Sequence, residues 1–282
     1  MQNSNHDDDH DRGLAFDLST LMGRRQLLGL FGTASAGLAL SACLPGPAGS
    51  SEPNVMATGA AGQSCIKTPV ETQGPFPADG SNRKSGSIAN VLKQSGVVRQ
   101  DIRSSFGSLT GVAQGVQSDI AITLVDIGDA CKPLAGHVVY IWHCDAEGRY
   151  SIYDLEGAYY LRGVGVTDEN GQVRFTTVFP GCYAGRWPHI HFEVFESAQK
   201  AATSDDSILI SQFALPEATC LSVYEANPVY AASVTNLAKS PLSSDGIFRD
   251  NTPEQLAAQT LVMSGDVAGR LAGAVTVGIK RS

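Results

Sequence analysis

The sequence lacks a basic cluster. Its 282 residues include 20 Lys and Arg against 28 Asp and Glu, giving a formal net charge of -8, and no run brings five basic residues together. A nucleic acid or an anionic membrane surface attracts proteins that carry a concentrated positive patch. The composition therefore argues against both partners, and no nucleic acid partner is expected.

The sequence also lacks any Cys-x-x-Cys pair, which argues against a zinc ribbon or a thioredoxin-like redox site. Its six cysteines are Cys43, Cys65, Cys131, Cys144, Cys182 and Cys220. In an exported protein, cysteines commonly form disulfides. If Cys43 carries a lipid and forms no disulfide, the remaining five cysteines allow two bridges at most, and their pairing stays open.

Long hydrophobic runs are scarce, and the one near the N-terminus is typical of an export signal. Arg24-Arg25 precede an apolar run over 27–40 that is too short and too rich in Gly and Ala to predict a membrane-spanning helix. The "GRRQLLG" segment resembles a twin-arginine signal. "LSAC" at 40–43 resembles a lipoprotein cleavage site, in which Cys43 would carry the lipid.

These signals predict three regions. Residues 1–43 form a twin-arginine or lipoprotein-type export signal, residues 44–64 form a flexible tether rich in Pro, Gly and Ser, and residues 65–282 form one globular domain. The protein is accordingly expected at the cell surface or in the periplasm, with a lipid anchor at Cys43. Its oligomeric state is left open.

The globular part predicts an all-β fold. Thirty glycines and thirteen prolines separate short runs with period-two hydrophobicity. The predicted strands are 119–127, 136–144, 159–167, 172–179, 189–196, 207–215 and 269–279. Asn170-Gly171 predicts a hairpin between the third and fourth of them, and 216–238 is expected to be partly helical. The number of strands favours a β-sandwich of mixed and antiparallel strands with little helix.

The segment "PGCYAGRWPHIHFEV" at 180–194 holds the strongest candidate site. His189 and His191 are two apart, so on a strand both imidazoles face the same side. This arrangement predicts a metal site. Glu193 continues the parity but lies further along the strand, and Tyr183 favours a hard, Lewis-acidic cation such as Fe(III) if it binds as phenolate. A hydrogen-bonded structural tyrosine is the alternative for Tyr183. His137 and His143 are expected to have packing or supporting roles.

Four segments together resemble the intradiol ring-cleavage dioxygenases, the family that includes catechol 1,2-dioxygenase and protocatechuate 3,4-dioxygenase. They are "CIKTPVETQGPFP" (65–77), "VYIWHCDAEGRYSIY" (139–153), "LRGVGVTDENGQVRFTTVFPGCYAGRWPHIHFEV" (161–194) and "SQFALP" (211–216). They occur in family order and spacing, and residues 217–282 resemble the exported branch of that family only loosely. One departure is Phe76, where the family's turn has a tyrosine.

The resemblance implies a ligand set and catalytic roles. The four ligands of a non-haem Fe(III) fall on Tyr150, Tyr183, His189 and His191. The active-site arginine falls on Arg186 and a pocket glutamine on Gln212. Tyr183 is implied to leave the metal and accept a substrate proton. A disulfide between Cys144 and Cys182, which flank the ligand-bearing segments, is a further hypothesis.

The resemblance therefore implies O2-dependent cleavage of a catechol-type aromatic to a cis,cis-muconate-type diacid. Two alternatives remain at this stage. One is a zinc hydrolase or cupin-like metalloenzyme that uses His189 and His191 with a carboxylate. The other is a non-catalytic β-sandwich binding module on the cell surface.

Overall fold

The computed structural model describes residues 56–58 and 64–281. The predicted export signal, including Cys43, and most of the predicted tether lie outside the described residues. Met56–Thr58 (β1) lies within the predicted tether, yet it pairs antiparallel with Ser64–Ile66 (β2). The regular structure therefore begins before Cys65.

Strands provide most of the regular structure. The others are β3 (Asp79–Lys84), β4 (Ser87–Asn90), β5 (Gln117–Asp126), β6 (Lys132–Pro133), β7 (Val138–Trp142), β8 (Arg162–Val166), β9 (Gln172–Val178), β10 (His189–Phe195), β11 (Ser207–Ala214), β12 (Val262–Gly265) and β13 (Leu271–Ile279). The α-helices in this part of the chain are α1 (Glu217–Ala226), α2 (Ala231–Lys239) and α3 (Pro253–Gln259).

Two sheets form the predicted β-sandwich. One has the order β11-β10-β7-β8, and the other has the order β12-β13-β5-β6 with β9 also paired to β5. All pairs in the first sheet are antiparallel, whereas β13 runs parallel to β5. The expectation of mixed and antiparallel strands is confirmed.

Alternation along the strands divides the core into two parts. Ile120, Ile122 and Leu124 of β5 belong to the main core between the sheets, as do Ile190 and Phe192 of β10. Each buried aliphatic side chain of this kind contributes roughly 1.5–3 kcal/mol to folding.

A second core covers the opposite face of the four-stranded sheet. It contains Tyr140 and Trp142 of β7, with Tyr150 and Tyr153 from the following loop. Because side chains alternate, the histidines of β10 face this second core.

The predicted hairpin at Asn170-Gly171 is wrong. The turn exists, but β8 pairs with β7 and β9 pairs with β5, so the turn carries the chain from one sheet to the other. Asp168 accepts the backbone N–H groups of Asn170 and Gln172, and Leu124 donates its N–H to Gly171 O. Gly171 has φ +70°, and a Cβ there would lie 2.5 Å from Leu124 O. Hydrogen bonds within the turn, from Gly171 N to Asp168 O and from Asp168 N to Gln172 O, and contact with β5 together fix its conformation.

The region predicted as partly helical contains α1 and α2, joined by a 3-10 turn over Pro228–Tyr230. Sequence reasoning did not predict α3. Its start carries a recognisable signal: Thr252 and Gln255 form a capping box, and Pro253 follows the cap.

The cysteines pair in one of the arrangements left open by the sequence. Cys65 and Cys131 form a disulfide across 66 positions. Cys144, Cys182 and Cys220 are free and buried, so the hypothesis of a Cys144–Cys182 bridge is wrong. Burial raises the pKa of each of these thiols, most strongly for Cys144 and Cys220. Their environment favours the uncharged, unreactive form.

Within the described ranges, no helix is both long enough and apolar enough to span a membrane.

Candidate metal centre

Four side chains from two loops and one strand converge on a single point. His189 Nε2 lies 3.0 Å from His191 Nε2, 3.2 Å from the Tyr183 hydroxyl and 3.4 Å from the Tyr150 hydroxyl. Tyr150, His189 and His191 are almost fully buried, whereas Tyr183 is partly exposed. The four predicted metal ligands are therefore brought together, although their role as ligands stays a prediction.

A short hydrogen bond sets the orientation of His189. Its Nδ1 lies 2.5 Å from Trp187 O, and a carbonyl only accepts, so Nδ1 carries the proton. Nε2 is then left with its lone pair directed at the other donors. This backbone contact is the kind of supporting interaction that fixes the tautomer of a metal-binding histidine.

His191 is held by stacking instead. Its ring lies 4.9 Å from the Trp142 ring with an interplanar angle of 6°, and the two residues are directly opposite on β10 and β7. Its Nδ1 is buried without a hydrogen-bond partner among the described residues. The sheet register therefore orients this imidazole through a flat aromatic contact.

A tight turn over 145–149 presents Tyr150. The Asp145 carboxylate accepts the backbone N–H groups of Glu147 and Arg149, and Arg149 pairs with the same carboxylate at 2.9 Å. Tyr150 N donates to the Asp154 carboxylate at 2.6 Å. Phe76 packs on the Tyr150 ring at 4.9 Å. Tyr150 is thus held by a hydrogen bond at its backbone N–H and by packing at its ring.

Two glycines allow the loops of Tyr150 and Tyr183 to lie against each other. A Cβ on Gly148 would stand 3.1 Å from the Tyr183 Cβ, and one on Gly181 would stand 2.6 Å from Ala146 O. Gly181 N also donates to Asp145 O. Glycine is required at these two positions by close approach, and at Gly148 also by its φ of +85°.

The arginine implied by the resemblance lies in a buried polar network. Arg186 is 2% exposed, and its Nη2 donates to Gln212 Oε1 at 2.8 Å. Gln212 Nε2 donates in turn to Thr72 O, and Gln212 is directly opposite His191 in the sheet. Arg186 Nε also pairs with Asp245 Oδ2 at 3.0 Å. Both residues therefore lie beside the four donors.

The lowered pKa values of His189 and His191 suit the binding of a cation. Burial, followed by the positive charge of Arg186, lowers the pKa of His189 to about 3. Burial and the neighbouring His189 lower the pKa of His191 well below its usual value. Both rings are neutral at physiological pH, which is the form that binds metals.

The phenols show the complementary behaviour. Burial, then the neighbouring Tyr183, raises the pKa of Tyr150 well above its usual value. Without a cation the phenol keeps its proton, and ionisation requires a strong positive charge between the donors. Two neutral imidazoles and two phenols therefore fit a hard trivalent cation better than an empty pocket.

Carboxylates do not complete the site. Within residues 56–58 and 64–281, no group of three or more His, Cys, Asp and Glu side chains is arranged to hold a metal ion. Glu193 is fully buried on β10, opposite Tyr140 rather than among the donors. The zinc site that combines the histidine pair with a carboxylate has no counterpart in this part of the chain.

His143 and His137 make the supporting contacts expected of them, and Trp187 is packed within the fold. His143 contacts Cys144 O and the Thr177 hydroxyl, both at 2.7 Å, and its burial lowers its pKa to about 4. His137 Nδ1 contacts Ala135 O. Trp187 donates its indole N–H to Leu215 O and is 3% exposed.

Sequence reasoning missed the residues that support the donors. They are Asp145, Gly148, Gly181 and Asp245. The glycines stand in the "EGRYS" and "PGCY" segments that carry Tyr150 and Tyr183, so proximity to a ligand was the available signal. Asp245 had no local signal, because it lies 59 positions beyond Arg186.

Two surface grooves lie elsewhere on the molecule. One, of about 330 Å³, is lined by residues such as Val98, Arg99 and Val166. The other, of about 570 Å³, lies over β5, β9 and β13. Neither is lined by any of the four donors, and the chemistry of the donor set is the better guide to the site.

Parts of this chain are similar to known proteins. A family model described as "Dioxygenase" matches residues 114–206, a range that contains all four donors. The chain is 35% identical over 94 residues to catechol 1,2-dioxygenase 1 of Acinetobacter lwoffii, covering 26% of this chain and 30% of that protein. It is 32% identical over 98 residues to catechol 1,2-dioxygenase of Acinetobacter baylyi, covering 27% and 32%. The chain thus spans about a third of the length of these curated relatives.

A solved structure extends the likeness beyond the matched range. The intradiol ring-cleavage dioxygenase from Tetranychus urticae superposes with a TM-score of 0.51 at 26% identity, over 65% of this chain and 87% of that one. The sequence match over residues 114–206 contains the four donors, and together with this structural likeness it makes the chain similar to the intradiol ring-cleavage dioxygenases.

Proposed function

We propose that this protein is a non-haem Fe(III) enzyme that cleaves a catechol-type aromatic ring between its two hydroxyl-bearing carbons, using O2. The product would be a cis,cis-muconate-type diacid that holds both oxygen atoms of O2. The observation that carries the proposal is the convergence of the Tyr150 and Tyr183 hydroxyls with the Nε2 atoms of His189 and His191.

The donor set suits this chemistry. Tyr150, Tyr183, His189 and His191 would hold the iron, and two phenolates would leave it with one net positive charge. When bound, Fe(III) supplies a Lewis-acidic centre for both catechol oxygens and makes the ring electron-rich enough to react with O2. His189 and His191 stay neutral, for the reasons of burial and charge given above.

The two tyrosines differ in a way that supports different roles. Tyr150 is 1% exposed and packs under Phe76, whereas Tyr183 is partly exposed at the end of a loop. Tyr183 can therefore swing away and accept a substrate proton at its hydroxyl oxygen, while Tyr150 stays in place. The proton that Tyr183 would take up makes its phenolate neutral, which would offset one of the two negative charges of a dianionic catechol in the buried site.

Arg186 has the position of an electrostatic stabiliser. Its buried guanidinium lowers the pKa values of both His189 and His191, so its charge reaches the donor cluster. A fixed cation in a site with little water stabilises negative charge that develops on the substrate. Gln212 fixes one edge of the guanidinium through its side-chain oxygen.

The test is a combined spectroscopic and product experiment. Protein loaded with iron should show the strong visible absorption of tyrosinate bound to Fe(III), and should take up O2 with one or more of catechol, protocatechuate and hydroxyquinol. With labelled O2, mass spectrometry should find both labelled atoms in one ring-opened diacid. A colourless protein that binds zinc in preference to iron and consumes no O2 would refute the proposal, as would a surface protein that only binds aromatics.

We also propose that the protein is exported and held to a membrane by lipid at Cys43. The support is the sequence alone: Arg24-Arg25, the short apolar run and "LSAC". Cell fractionation should find the native protein with the membranes and the Cys43→Ser variant elsewhere. Equal distribution of the two would contradict the anchor.

A further inference from the structure

The loop that carries Tyr183 and Arg186 is held from outside by the C-terminal part of the chain. Cys182 N donates to the Ser233 hydroxyl at 2.8 Å, and Asn236 donates to Cys182 O at 2.8 Å. Gly185 N donates to the Ser240 hydroxyl at 3.1 Å. These residues lie beyond the range matched by the family model, which ends at 206.

Asp245 makes the most demanding of these contacts. Its side chain is fully buried, and its Oδ2 accepts from Arg186 Nε at 3.0 Å and from Trp187 N at 2.7 Å. Its Oδ1 accepts from the backbone N–H groups of Ile247 at 2.9 Å and Phe248 at 3.2 Å. Arg186 Nη2 also donates to Oδ1 at 3.5 Å, so five N–H groups surround one carboxylate, which fixes it in place and offsets the cost of burying its charge.

The same carboxylate reaches two parts of the site. Arg186 donates to Asp245 through Nε and Nη2 and to Gln212 through Nη2, so its planar guanidinium has one orientation. Trp187 donates its N–H to Asp245 and accepts from His189 Nδ1 through its carbonyl. Trp187 therefore contacts the Asp245 carboxylate through its N–H and the candidate ligand His189 through its carbonyl.

We propose that Asp245 is a positioning residue for ring cleavage, which sets the orientation of the Arg186 guanidinium. This inference rests on the proposed function and deepens it. Asp245 itself does not touch the donor atoms; it acts through Arg186. An isosteric change that removes its charge leaves Arg186 buried without its counter-ion and free to adopt another orientation.

A double-mutant cycle tests the inference. Asp245→Asn should lower kcat about 10-fold to 100-fold at equal iron content, with a smaller change in the KM for the catechol. In an Arg186→Ala background, Asp245→Asn should change kcat by about two-fold or less, because the group through which it acts is gone. A purely structural role would produce the same loss in both backgrounds and would overturn the inference, and so would an unchanged kcat in the single variant.

Two further variants distinguish a loss of activity from a loss of folding. Tyr230→Phe removes a buried hydroxyl in the same C-terminal region, which donates to Phe179 O and accepts from Val116 N. It should lower stability but leave kcat near the native value. If Asp245→Asn does not fold, Asp245→Glu keeps the charge but displaces the carboxylate by one methylene, and it should show the same dependence on Arg186.

A readout that needs neither iron nor turnover separates this inference from the proposed function. Hydrogen exchange of the Arg186 Nε–H, followed by NMR in metal-free protein and assigned with Arg186→Lys, should be at least about 10-fold faster in Asp245→Asn than in native protein or Tyr230→Phe. Unchanged exchange would overturn the inference. If native protein cleaves no catechol but exchange accelerates as expected, the proposed function fails while the constraint on Arg186 stands.

Discussion

Gly148 lies against Tyr183 so closely that a Cβ at position 148 would stand 3.1 Å from the Tyr183 Cβ. Gly148 belongs to the turn that presents Tyr150, so this contact joins the loops of the two candidate phenolate ligands. The separation of the two phenols therefore depends on a residue that has no side chain. We therefore expect a side chain at position 148 to disturb the candidate metal centre more than the β-sandwich.

Gly148→Ala should impair the metal centre more than the fold. The new methyl group pushes the Tyr183 loop outward, and φ of +85° adds about 1–2 kcal/mol of backbone strain. Iron content and visible absorption should fall strongly. Gly136→Ala is the matched control, because Gly136 also has a positive φ of +76° but nothing within 4 Å. Equal loss of iron in the two variants would show that strain, and not contact with Tyr183, is responsible.

Removal of either phenol should weaken iron binding. Tyr150→Phe and Tyr183→Phe each delete one donor from a buried cluster, and we expect a loss of roughly 10-fold to 100-fold or more in iron affinity, together with a weaker visible band. Tyr140→Phe is the control, since Tyr140 is a fully buried phenol that donates to Pro77 O and lies outside the donor group. A visible band that survives in both ligand variants would contradict the assignment.

Glu71 should make stability depend on pH. Burial, reinforced by the nearby Asp250, raises its pKa from 4.5 to about 8, against the opposing effects of Asn251, Gln259 and Arg186. The folded state then binds more protons than the unfolded state between these two values. The free energy of unfolding should be greatest below pH 4.5 as far as Glu71 is concerned, and should fall as pH rises to about 8.

Glu71→Gln tests this dependence. The amide keeps the shape of a protonated carboxyl, so the variant should lose the decline in stability between pH 5 and pH 8, which is on the order of 4 kcal/mol at most. Denaturant unfolding at several pH values measures it. A native protein whose stability rises over that range, or a variant with the same slope, would show that Glu71 is ionised in the folded state.

Reduction of the disulfide should destabilise the fold without affecting the buried thiols. The Cys65–Cys131 bridge closes a loop of 66 positions, for which chain entropy predicts a contribution of about 4 kcal/mol. Reductant should lower the unfolding midpoint of native protein and leave that of the Cys65→Ser/Cys131→Ser variant unchanged. Cys144, Cys182 and Cys220 should react with thiol reagents only on unfolding, because all three are buried. Rapid labelling of Cys182 in folded protein would contradict the packing around Tyr183.

Much of the fold follows from local patterns. The strands over 117–126, 172–178 and 189–195 coincide closely with the runs of alternating hydrophobicity. The sheet to which each strand belongs does not follow from such local patterns. Asn170-Gly171 has the composition of a hairpin turn, but its backbone contact with Leu124 takes the chain into the other sheet.

The candidate site divides in the same way. His189 and His191 share a face because a strand has a period of two, and this follows from their spacing alone. Neither the pairing of Cys65 with Cys131 nor the contact between Arg186 and Asp245 has such a period, because each joins residues about 60 positions apart. No local pattern reports contacts at that separation.

The sequence by itself determined the strand pattern, the shared face of the two histidines and the family that the donor-bearing segments resemble. Only the tertiary structure decided how far the phenols stand from the imidazoles, which cysteines pair and which carboxylate holds Arg186. The physical reason is that alternation is a property of consecutive residues, whereas a metal centre is formed by loops that close against each other after the sheets have packed. Gly148, Gly181 and Asp245 matter because they govern that closure.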